Sequence, residues 1–308
     1  MTPCVASAEH GDSVLFKLES CQPSGSYKDR FAAAEVERLA ALGVKRVVAT
    51  SSGNTGSALA AYCARAGIQC AVVVNADAPA GKLAQMRAHG ARVLRVRGFT
   101  VDAAVTERVF EVLHGLGIPL VVSAFRYCPA AMAAVSLVAR ELVSFEPAHV
   151  FVPVGGGGLY TAVARGIGGV RVHAVQPAGC ATVVDAWRAS ESTARVVQST
   201  TRISGLSVPN DIDATLALST LYANRGEGVA VGDDEVFAAQ RLMLSREGIY
   251  CEPAGAAAYA GWLKLRPEGR SVCLVTGHGF KDPDSIAAIS FDDSLVDADG
   301  VERWFANA

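Results

Sequence analysis

The sequence predicts an α/β fold with two lobes, each an open, mostly parallel sheet flanked by helices. Between Val44 and Ser123, short apolar runs with strand character alternate with helical runs, several of which end at a glycine. This alternation with short connections is typical of parallel strands joined by helices. A second alternating series begins at His149 and ends at Thr276, which predicts the second lobe.

The first series predicts a compact smaller domain over residues 44–143. Its expected strands are 44–49, 69–74, 92–96 and 119–123, and its expected helices are 56–66, 81–89, 101–116 and 130–143. Helical periodicity and the stops at Gly67 and Gly90 define the helices. Residues 1–43, with a strand at 13–18 and a helix at 31–42, are assigned with residues 144–308 to a larger domain.

The second series predicts the rest of the larger domain. Its expected strands are 149–154, 170–175 and 272–276, and its expected helices are 159–166, 233–247 and 254–265. Residues 188–213 are polar and predict a loop, either a mobile cover or a surface connection without a chemical role.

Composition limits the function to small-molecule chemistry. The chain has 308 residues, 30 glycines and a formal net charge of -2, which gives no basic surface for nucleic acid. The eight cysteines form no C-x-x-C pair and no zinc-like cluster with histidine, so we expect reduced thiols and no metal. We find no leader and no membrane-length apolar stretch, so we expect a cytoplasmic protein.

The segment Pro23 to Arg30 places Lys28 after small residues and before a helical run. Ser24, Gly25 and Ser26 are candidate caps for that helix, whose positive dipole end disfavours the cationic form of a lysine. A lysine in this setting suits Schiff-base formation with an aldehyde such as pyridoxal phosphate. Taken alone, the segment favours an ordinary surface lysine, and only the motifs further along the chain favour a reactive amine.

The run Ser51-Ser-Gly-Asn-Thr-Gly56 lies between a predicted buried strand and a helix. Ligands bind at such junctions in open parallel sheets, and hydroxyls with free N–H groups suit a carboxylate. The run could also be a simple loop with a helix cap.

The run Gly155 to Gly158 directly follows a predicted strand and precedes a helix. Four glycines let backbone N–H groups surround a phosphate, although the lysine of a P-loop and the spacing of a dinucleotide site are absent. A flexible glycine turn is the alternative.

Thr276 ends the last predicted strand and begins the run T-G-H-G-F-K-D. A hydroxyl can hydrogen-bond a heteroaromatic nitrogen but does not hold it protonated, as an aspartate would. This favours elimination and replacement over chemistry that needs a long-lived carbanion.

Together these four runs resemble the fold type II pyridoxal-phosphate enzymes, the tryptophan synthase β-like family, over nearly the whole chain. The Lys28-Asp-Arg30 and T-G-H-G-F-K-D runs are most similar to threonine synthases. The glycine run and Glu252-Pro-Ala-Gly-Ala-Ala257 are equally similar to serine and threonine dehydratases.

The resemblance implies a pyridoxal 5'-phosphate cofactor in the cleft between the lobes and a role for each run. Lys28 would be the Schiff-base and catalytic lysine, Asn54 would contact the ring hydroxyl oxygen and Thr276 the pyridine nitrogen. Gly155, Gly156, Gly157 and Gly158 would hold the cofactor phosphate, and Ser51, Ser52 and Thr55 the substrate carboxylate. Family members are usually dimers, so a homodimer is expected.

One departure from threonine synthases concerns the substrate. Their segment before the helix near Ala130 carries an asparagine and an arginine that bind the phosphate of phosphohomoserine, whereas this chain has Ser123-Ala-Phe-Arg-Tyr-Cys128. Cys128 occupies the expected arginine position and Arg126 lies two positions away. Either Arg126 still reaches a substrate anion, or a phosphorylated substrate is not used.

The leading hypothesis is therefore a threonine-synthase-like lyase or synthase acting on an amino acid with altered substrate recognition. A serine/threonine dehydratase, a cysteine-synthase-like β-replacement enzyme and an inactive amino-acid or cofactor binder are the alternatives. Lys28, Asn54 and Thr276 argue against the binder, because binding alone does not need the amine.

Overall fold

The computed structural model describes residues 1–78, 80–99, 102–287, 297–298, 301, 304 and 306. Within them the strands are β1 (Cys4–Ser7), β2 (Gly11–Leu18), β3 (Arg46–Ala49), β4 (Gln69–Asn75), β5 (Arg92–Val96), β6 (Leu120–Val121), β7 (His149–Pro153), β8 (Arg171–Pro177), β9 (Gly228–Val231) and β10 (Ser271–Val275). The helices are α1 (Lys28–Ala41), α2 (Asn54–Ala66), α3 (Ala80–Ala88), α4 (Ala103–Gly115), α5 (Pro129–Ala134), α6 (Leu137–Leu142), α7 (Gly158–Gly166), α8 (Thr182–Arg188), α9 (Ala214–Asn224), α10 (Asp233–Ser245), α11 (Pro253–Leu265) and α12 (Pro283–Ala287).

The smaller sheet has four parallel strands in the order β5-β4-β3-β6. Successive side chains of a strand point to opposite faces. Val47 and Val72 accordingly join one apolar cluster, whereas their neighbours Val48 and Val73 join another. Both faces are therefore covered, as is usual for parallel sheets.

The larger sheet has six strands in the order β1-β2-β10-β7-β8-β9. Only β1 runs antiparallel to its neighbour, and the remaining pairs are parallel. Val150 and Val152 of β7 pack into the same cluster as Val47 and Val72, so one apolar core links the two sheets. The predicted fold class, two mostly parallel sheets flanked by helices, is confirmed.

Some elements differ from the sequence prediction. The single helix expected over residues 130–143 is two helices, α5 and α6. Between them the N–H groups of Val135, Ser136 and Val138 donate to carbonyls three residues earlier, and this tighter turn interrupts the α-helical pattern.

Other elements were not predicted, namely β1, α8, α9, β9 and α12. Residues 189–213 form the expected loop, with one short 3₁₀ turn at Ser204–Leu206. Ile203 and Leu206 of this loop are buried, so it packs onto the protein. The predicted helix start at Val101 lies outside the described residues.

The carboxyl ends of several parallel strands carry the motifs identified in the sequence. Ser51 follows β3, Gly155 follows β7 and Thr276 follows β10. Open α/β sheets bind ligands at this edge. No helix among the described residues is both long and apolar enough to cross a membrane.

Candidate active site

The segment before Lys28 is held against the loop that follows β10. Tyr27 N donates to the Thr276 carbonyl at 3.0 Å, and His278 N donates to the Gly25 carbonyl at 2.9 Å. These backbone hydrogen bonds bring Lys28, the first residue of α1, next to the segment that carries Thr276.

The start of α1 does not use the predicted serine caps. Tyr27 precedes the helix and no side chain caps it. Ser24 instead binds the Asp29 carboxylate through its N–H at 2.6 Å and through its hydroxyl, and Ser26 Oγ is buried without a partner in the described structure. Burial raises the pKa of Asp29, although the bonds from Ser24 oppose this effect.

The Lys28 amine points toward a residue that sequence reasoning did not select. Lys28 Nζ donates to Ser123 Oγ, just after β6 of the smaller sheet. The same nitrogen lies 4.8 Å from the centroid of the Tyr27 ring. The candidate catalytic amine thus lies between the two sheets.

The Ser51 to Gly56 run forms the tight junction between β3 and α2. Gly53 N donates to Ser51 Oγ at 3.2 Å, and α2 begins at Asn54. The first N–H groups of a helix lack intrahelical acceptors. A Cβ at Gly56 would collide with the Ser51 carbonyl, so the glycine permits this close turn.

The glycine run leads from β7 into α7. Gly157 has a φ of +100°, a conformation that other residues rarely adopt, and a Cβ there would lie 2.5 Å from the Asp213 carbonyl oxygen. A Cβ at Gly158 would lie 2.7 Å from the Met132 methyl carbon. Within the described chain, the N–H groups of Gly155 to Gly158 have no hydrogen-bond acceptor.

These segments enclose one cavity of about 450 Å³. Ten of the eleven site residues predicted from the sequence line it. They are Lys28, Ser51, Ser52, Asn54, Thr55, Gly155, Gly156, Gly157, Gly158 and Thr276.

Arg126 is the predicted site residue that the structure does not bring into the cavity. It is exposed and lines a separate, more open depression together with Asp211 and Leu216. Its backbone N–H donates to Asp213 Oδ1 at 3.1 Å, while its guanidinium lies 5.9 Å from the Tyr127 ring. Cys128, at the position expected for the arginine, is buried. The expectation that Arg126 reaches the substrate site is therefore not met in this conformation.

Asp213 is a cavity residue that the sequence did not reveal. It ends the irregular loop, is buried and accepts hydrogen bonds from Phe125 N at 2.7 Å and from Arg126 N. Burial raises the pKa of Asp213, while these two hydrogen bonds and the charge of Lys28 oppose the rise. No local motif signals this residue, because its partners lie almost 90 positions away in the chain.

Two further polar contacts cross the cavity. Asn54 Nδ2 donates to Glu252 Oε1 at 2.7 Å. Lys281 Nζ donates to Gln85 Oε1 at 2.6 Å, and burial lowers the pKa of Lys281 against the opposing charges of Glu252 and Asp29. Glu252 and Lys281 belong to motifs that were noted in the sequence, whereas Gln85 has no sequence signal.

The residues of the cavity fit a phosphorylated pyridoxal. The glycine loop offers unpaired N–H groups where side chains would collide, which suits a phosphate. A primary amine and a buried hydroxyl, Lys28 and Thr276, line the same space. Among the described residues, no group of three or more His, Cys, Asp or Glu side chains could hold a metal ion.

Comparison with known proteins agrees with this fit. Residues 1–277 match the family model described as pyridoxal-phosphate dependent enzyme. A threonine synthase from Methanocaldococcus jannaschii is 33% identical, over 92% of this chain and 74% of the relative. A serine racemase structure from Dictyostelium discoideum superposes with a TM-score of 0.73 at 26% identity, over 90% of this chain and 92% of that one. A threonine deaminase structure from the organism abbreviated T.th. superposes with a TM-score of 0.74 at 25% identity, over 91% of this chain and 89% of that one.

The fold and the cavity thus define an enzyme of the fold type II pyridoxal-phosphate class. The chain belongs to the pyridoxal-phosphate-dependent enzyme family. It is a pyridoxal-phosphate-dependent lyase or synthase that carries out elimination or replacement on an amino acid, and its resemblance to threonine synthases is confirmed.

Proposed function

We propose that this enzyme is a threonine-synthase-like lyase or synthase whose leaving group is uncharged while it is still attached to the bound substrate. The observation that carries the proposal is the charge around the cavity. Among the described residues, its charged lining residues are two lysines and three carboxylates, namely Lys28, Lys281, Asp213, Glu252 and Asp282. No arginine is among these described lining residues, and Lys281 is already bonded to Gln85 and faces Glu252 and Asp29.

Among the described residues that line this cavity, a second phosphate would find no unpaired cation. The cofactor phosphate and the substrate carboxylate already bring negative charge, and like charges at close range in a partly buried site repel strongly. An amino acid whose leaving group is uncharged in the bound substrate, such as an acetyl ester, avoids this cost. The position of Cys128, where threonine synthases carry an arginine, supports the same substrate class.

Each motif has a proposed role. Gly155, Gly156, Gly157 and Gly158 bind the cofactor phosphate. Asn54 donates to the ring hydroxyl oxygen, and Thr276 hydrogen-bonds the ring nitrogen without protonating it. Ser51, Ser52 and Thr55 bind the substrate carboxylate at the start of α2.

Lys28 is the proposed proton carrier. When bound, pyridoxal phosphate supplies an electron sink for negative charge at the substrate Cα. Lys28 Nζ removes the Cα proton and, for a leaving group on Cγ, also a Cβ proton, so that electrons at Cβ can expel that group; Lys28 can return a proton afterwards. Ser123, which accepts a hydrogen bond from Lys28 Nζ, orients this amine within the cavity.

The test compares two esters of the same amino acid that differ in the charge of the leaving group. We expect purified enzyme loaded with cofactor to turn over O-acetylhomoserine with a kcat/KM at least about tenfold higher than that for O-phosphohomoserine, a difference of about 1.4 kcal/mol. Release of acetate and of phosphate would be measured in parallel. Equal or faster phosphate release would refute the substrate class.

A serine/threonine dehydratase is the second candidate. It is supported by the run Glu252 to Ala257, whose Glu252 lines the cavity, and by the similarity to a threonine deaminase. Keto-acid formation from serine or threonine without an added nucleophile would identify this activity. Formation of a new carbon–sulfur or carbon–oxygen bond would instead identify a replacement enzyme.

The organisation of the chain is proposed on the same basis. We assign residues 44–143 to a smaller domain that binds the substrate carboxylate, and residues 1–43 and 144–308 to a larger domain that binds the cofactor. The cofactor lies in the cleft between them. A cytoplasmic homodimer is the proposed working form, and sedimentation of the purified protein would test the dimer.

A further inference from the structure

The motif that begins at Glu252 has no part in the roles assigned above, yet its first residue reaches the site. Glu252 immediately precedes α11, and its backbone N–H donates to the Gly277 carbonyl at 3.1 Å. Its side chain is buried and lines the cavity. The carboxylate thus lies beside the loop that carries Thr276.

Glu252 contacts Asn54 although 198 positions separate them in the chain. Asn54 Nδ2 donates to Glu252 Oε1 at 2.7 Å. A carboxylate oxygen accepts and does not donate, so it selects the NH₂ end of the amide over the carbonyl end. The amide nitrogen has two hydrogens, and the second remains available for an acceptor in the cavity.

Gly277 makes this contact possible. A Cβ at this position would collide with Glu252 Oε1 and would lie 3.2 Å from Asn54 Nδ2. The conformation of Gly277 is not one reserved for glycine, since its φ is not positive. Its missing side chain therefore leaves the space through which the carboxylate meets the amide.

We propose that Glu252 is a positioning residue that fixes the Asn54 amide so that its N–H faces the ring oxygen of the cofactor. This inference rests on the proposed role of Asn54. Without Glu252 the amide can rotate and present its carbonyl oxygen, which cannot donate to that oxygen. A hydrogen bond to the ring oxygen then becomes rare, and both cofactor affinity and the visible spectrum of the bound cofactor change.

The test is a double-mutant cycle on cofactor binding. We expect Glu252→Ala to weaken pyridoxal-phosphate binding to the apoprotein roughly tenfold to a hundredfold, the size of one hydrogen bond to a charged group. Glu252→Ala should also change the ratio of the visible to the near-ultraviolet band. In an Asn54→Ala background the same substitution should have little further effect, since the residue that it positions is gone.

Two more variants separate positioning from folding. Gly277→Ala keeps both polar groups but blocks their contact, so its spectrum should resemble that of Glu252→Ala. Glu252→Gln keeps the size and one acceptor and should bind cofactor more tightly than Glu252→Ala. Glu35→Gln alters a buried carboxylate outside the cavity and should leave affinity and spectrum unchanged.

The outcomes distinguish this inference from the proposed function. A wild-type protein that never acquires a cofactor spectrum would refute the proposed function itself. A wild-type protein that binds normally while Glu252→Ala shows unchanged affinity and spectrum would refute only the role of Glu252. Fully additive effects of Glu252→Ala and Asn54→Ala would also refute it.

Discussion

Lys28 is the residue on which the chemistry depends, and its environment comes from distant parts of the chain. The ring of Tyr27, just before α1, lies near the Lys28 amine. Ser123, which follows β6 of the smaller sheet, accepts a hydrogen bond from that amine. The sequence identified the lysine because small residues and a helix start surround it. Ser123 could not be recognised as its partner, since nothing local links positions separated by 95 residues.

Lys28→Ala should remove the covalent link to the cofactor and the proton carrier together. We expect turnover to fall by roughly 10²–10⁴-fold or more, the usual contribution of a positioned acid or base. Borohydride reduction followed by mass spectrometry would show cofactor attached to the wild type and none attached to the variant. Lys45→Ala, at an exposed lysine outside the cavity, is the matched control. Full turnover by Lys28→Ala would remove the proposed mechanism.

At the scale of elements, the sequence predicted strands, loops and helices correctly where a motif consists of residues that are consecutive in the chain. Each motif is a strand, a short loop and a helix in direct succession, so periodicity and glycines located Ser51, Gly155 and Thr276 correctly at strand ends. The strand β1 was missed because it has only four residues, two of them exposed, and it lies at the edge of the sheet. The break between α5 and α6 was missed because apolar spacing continues through it.

Only some of the residues that line the cavity could be predicted, because the others reach it through tertiary packing and carry no local sequence pattern. Asp213 and Gln85 enter it from a loop and from a helix whose local sequences resemble ordinary surface. Arg126 was expected to contact substrate from its position near the family's arginine, but the chain turns its guanidinium toward Tyr127. Which way a loop side chain points depends on tertiary packing that spacing does not encode.

Strands β7 and β8 share a pair of stacked histidines whose proton positions can be deduced. Glu227 N donates to His173 Nδ1 at 3.2 Å, so the hydrogen of His173 is on Nε2 and points to His149 Nδ1, 2.9 Å away. His149 Nε2 then donates to the Glu268 carbonyl at 3.1 Å. Both rings are neutral in this chain of bonds, and burial lowers the pKa of His149 and lowers that of His173 to about 3.

This histidine pair should make the protein less stable in mild acid. Because the folded-state pKa of His173 lies below the unfolded value, the unfolded chain binds more protons as the pH falls through about 6.5. We expect His173 alone to cost about 2 kcal/mol of unfolding free energy between pH 7 and pH 5. Urea unfolding at several pH values would measure this loss of unfolding free energy.

The test variant for this prediction is His173→Asn, and the control variant is His114→Asn. The first should flatten the dependence of unfolding free energy on pH, whereas the second, at an exposed histidine at the end of α4, should leave it unchanged. The explanation is wrong if wild type and His173→Asn lose stability equally on acidification.

At the scale of the whole molecule, the two sheets are joined by polar contacts around the cavity as well as by the shared apolar core. These contacts are Lys28 with Ser123, Asn54 with Glu252, Asp213 with the N–H groups of Phe125 and Arg126, and Gln85 with Ser24 and Lys281. Gln85 is bonded on both sides of its amide. Its Nε2 donates to the Ser24 carbonyl at 2.9 Å, while its Oε1 accepts from Lys281.

Gln85→Ala should loosen the approach of the two sheets. Losing two hydrogen bonds, one of them from an ammonium, should lower the unfolding free energy by about 1–3 kcal/mol. It should also increase the radius of gyration measured by small-angle X-ray scattering. Gln198→Ala, at a glutamine outside the cavity, is the control. Unchanged stability and dimensions in Gln85→Ala would show that this bridge does not hold the sheets together.

The strand order of the larger sheet has a consequence for biosynthesis. Strand β2 is synthesised long before its parallel neighbour β10, with which it pairs Phe16 to Cys273. The four strands between Arg46 and Val121 find all their neighbours locally, so the smaller sheet can form while synthesis continues. The β1–β2 hairpin keeps one edge uncovered until β10 has been synthesised, and the nascent protein can associate wrongly through that edge during this interval.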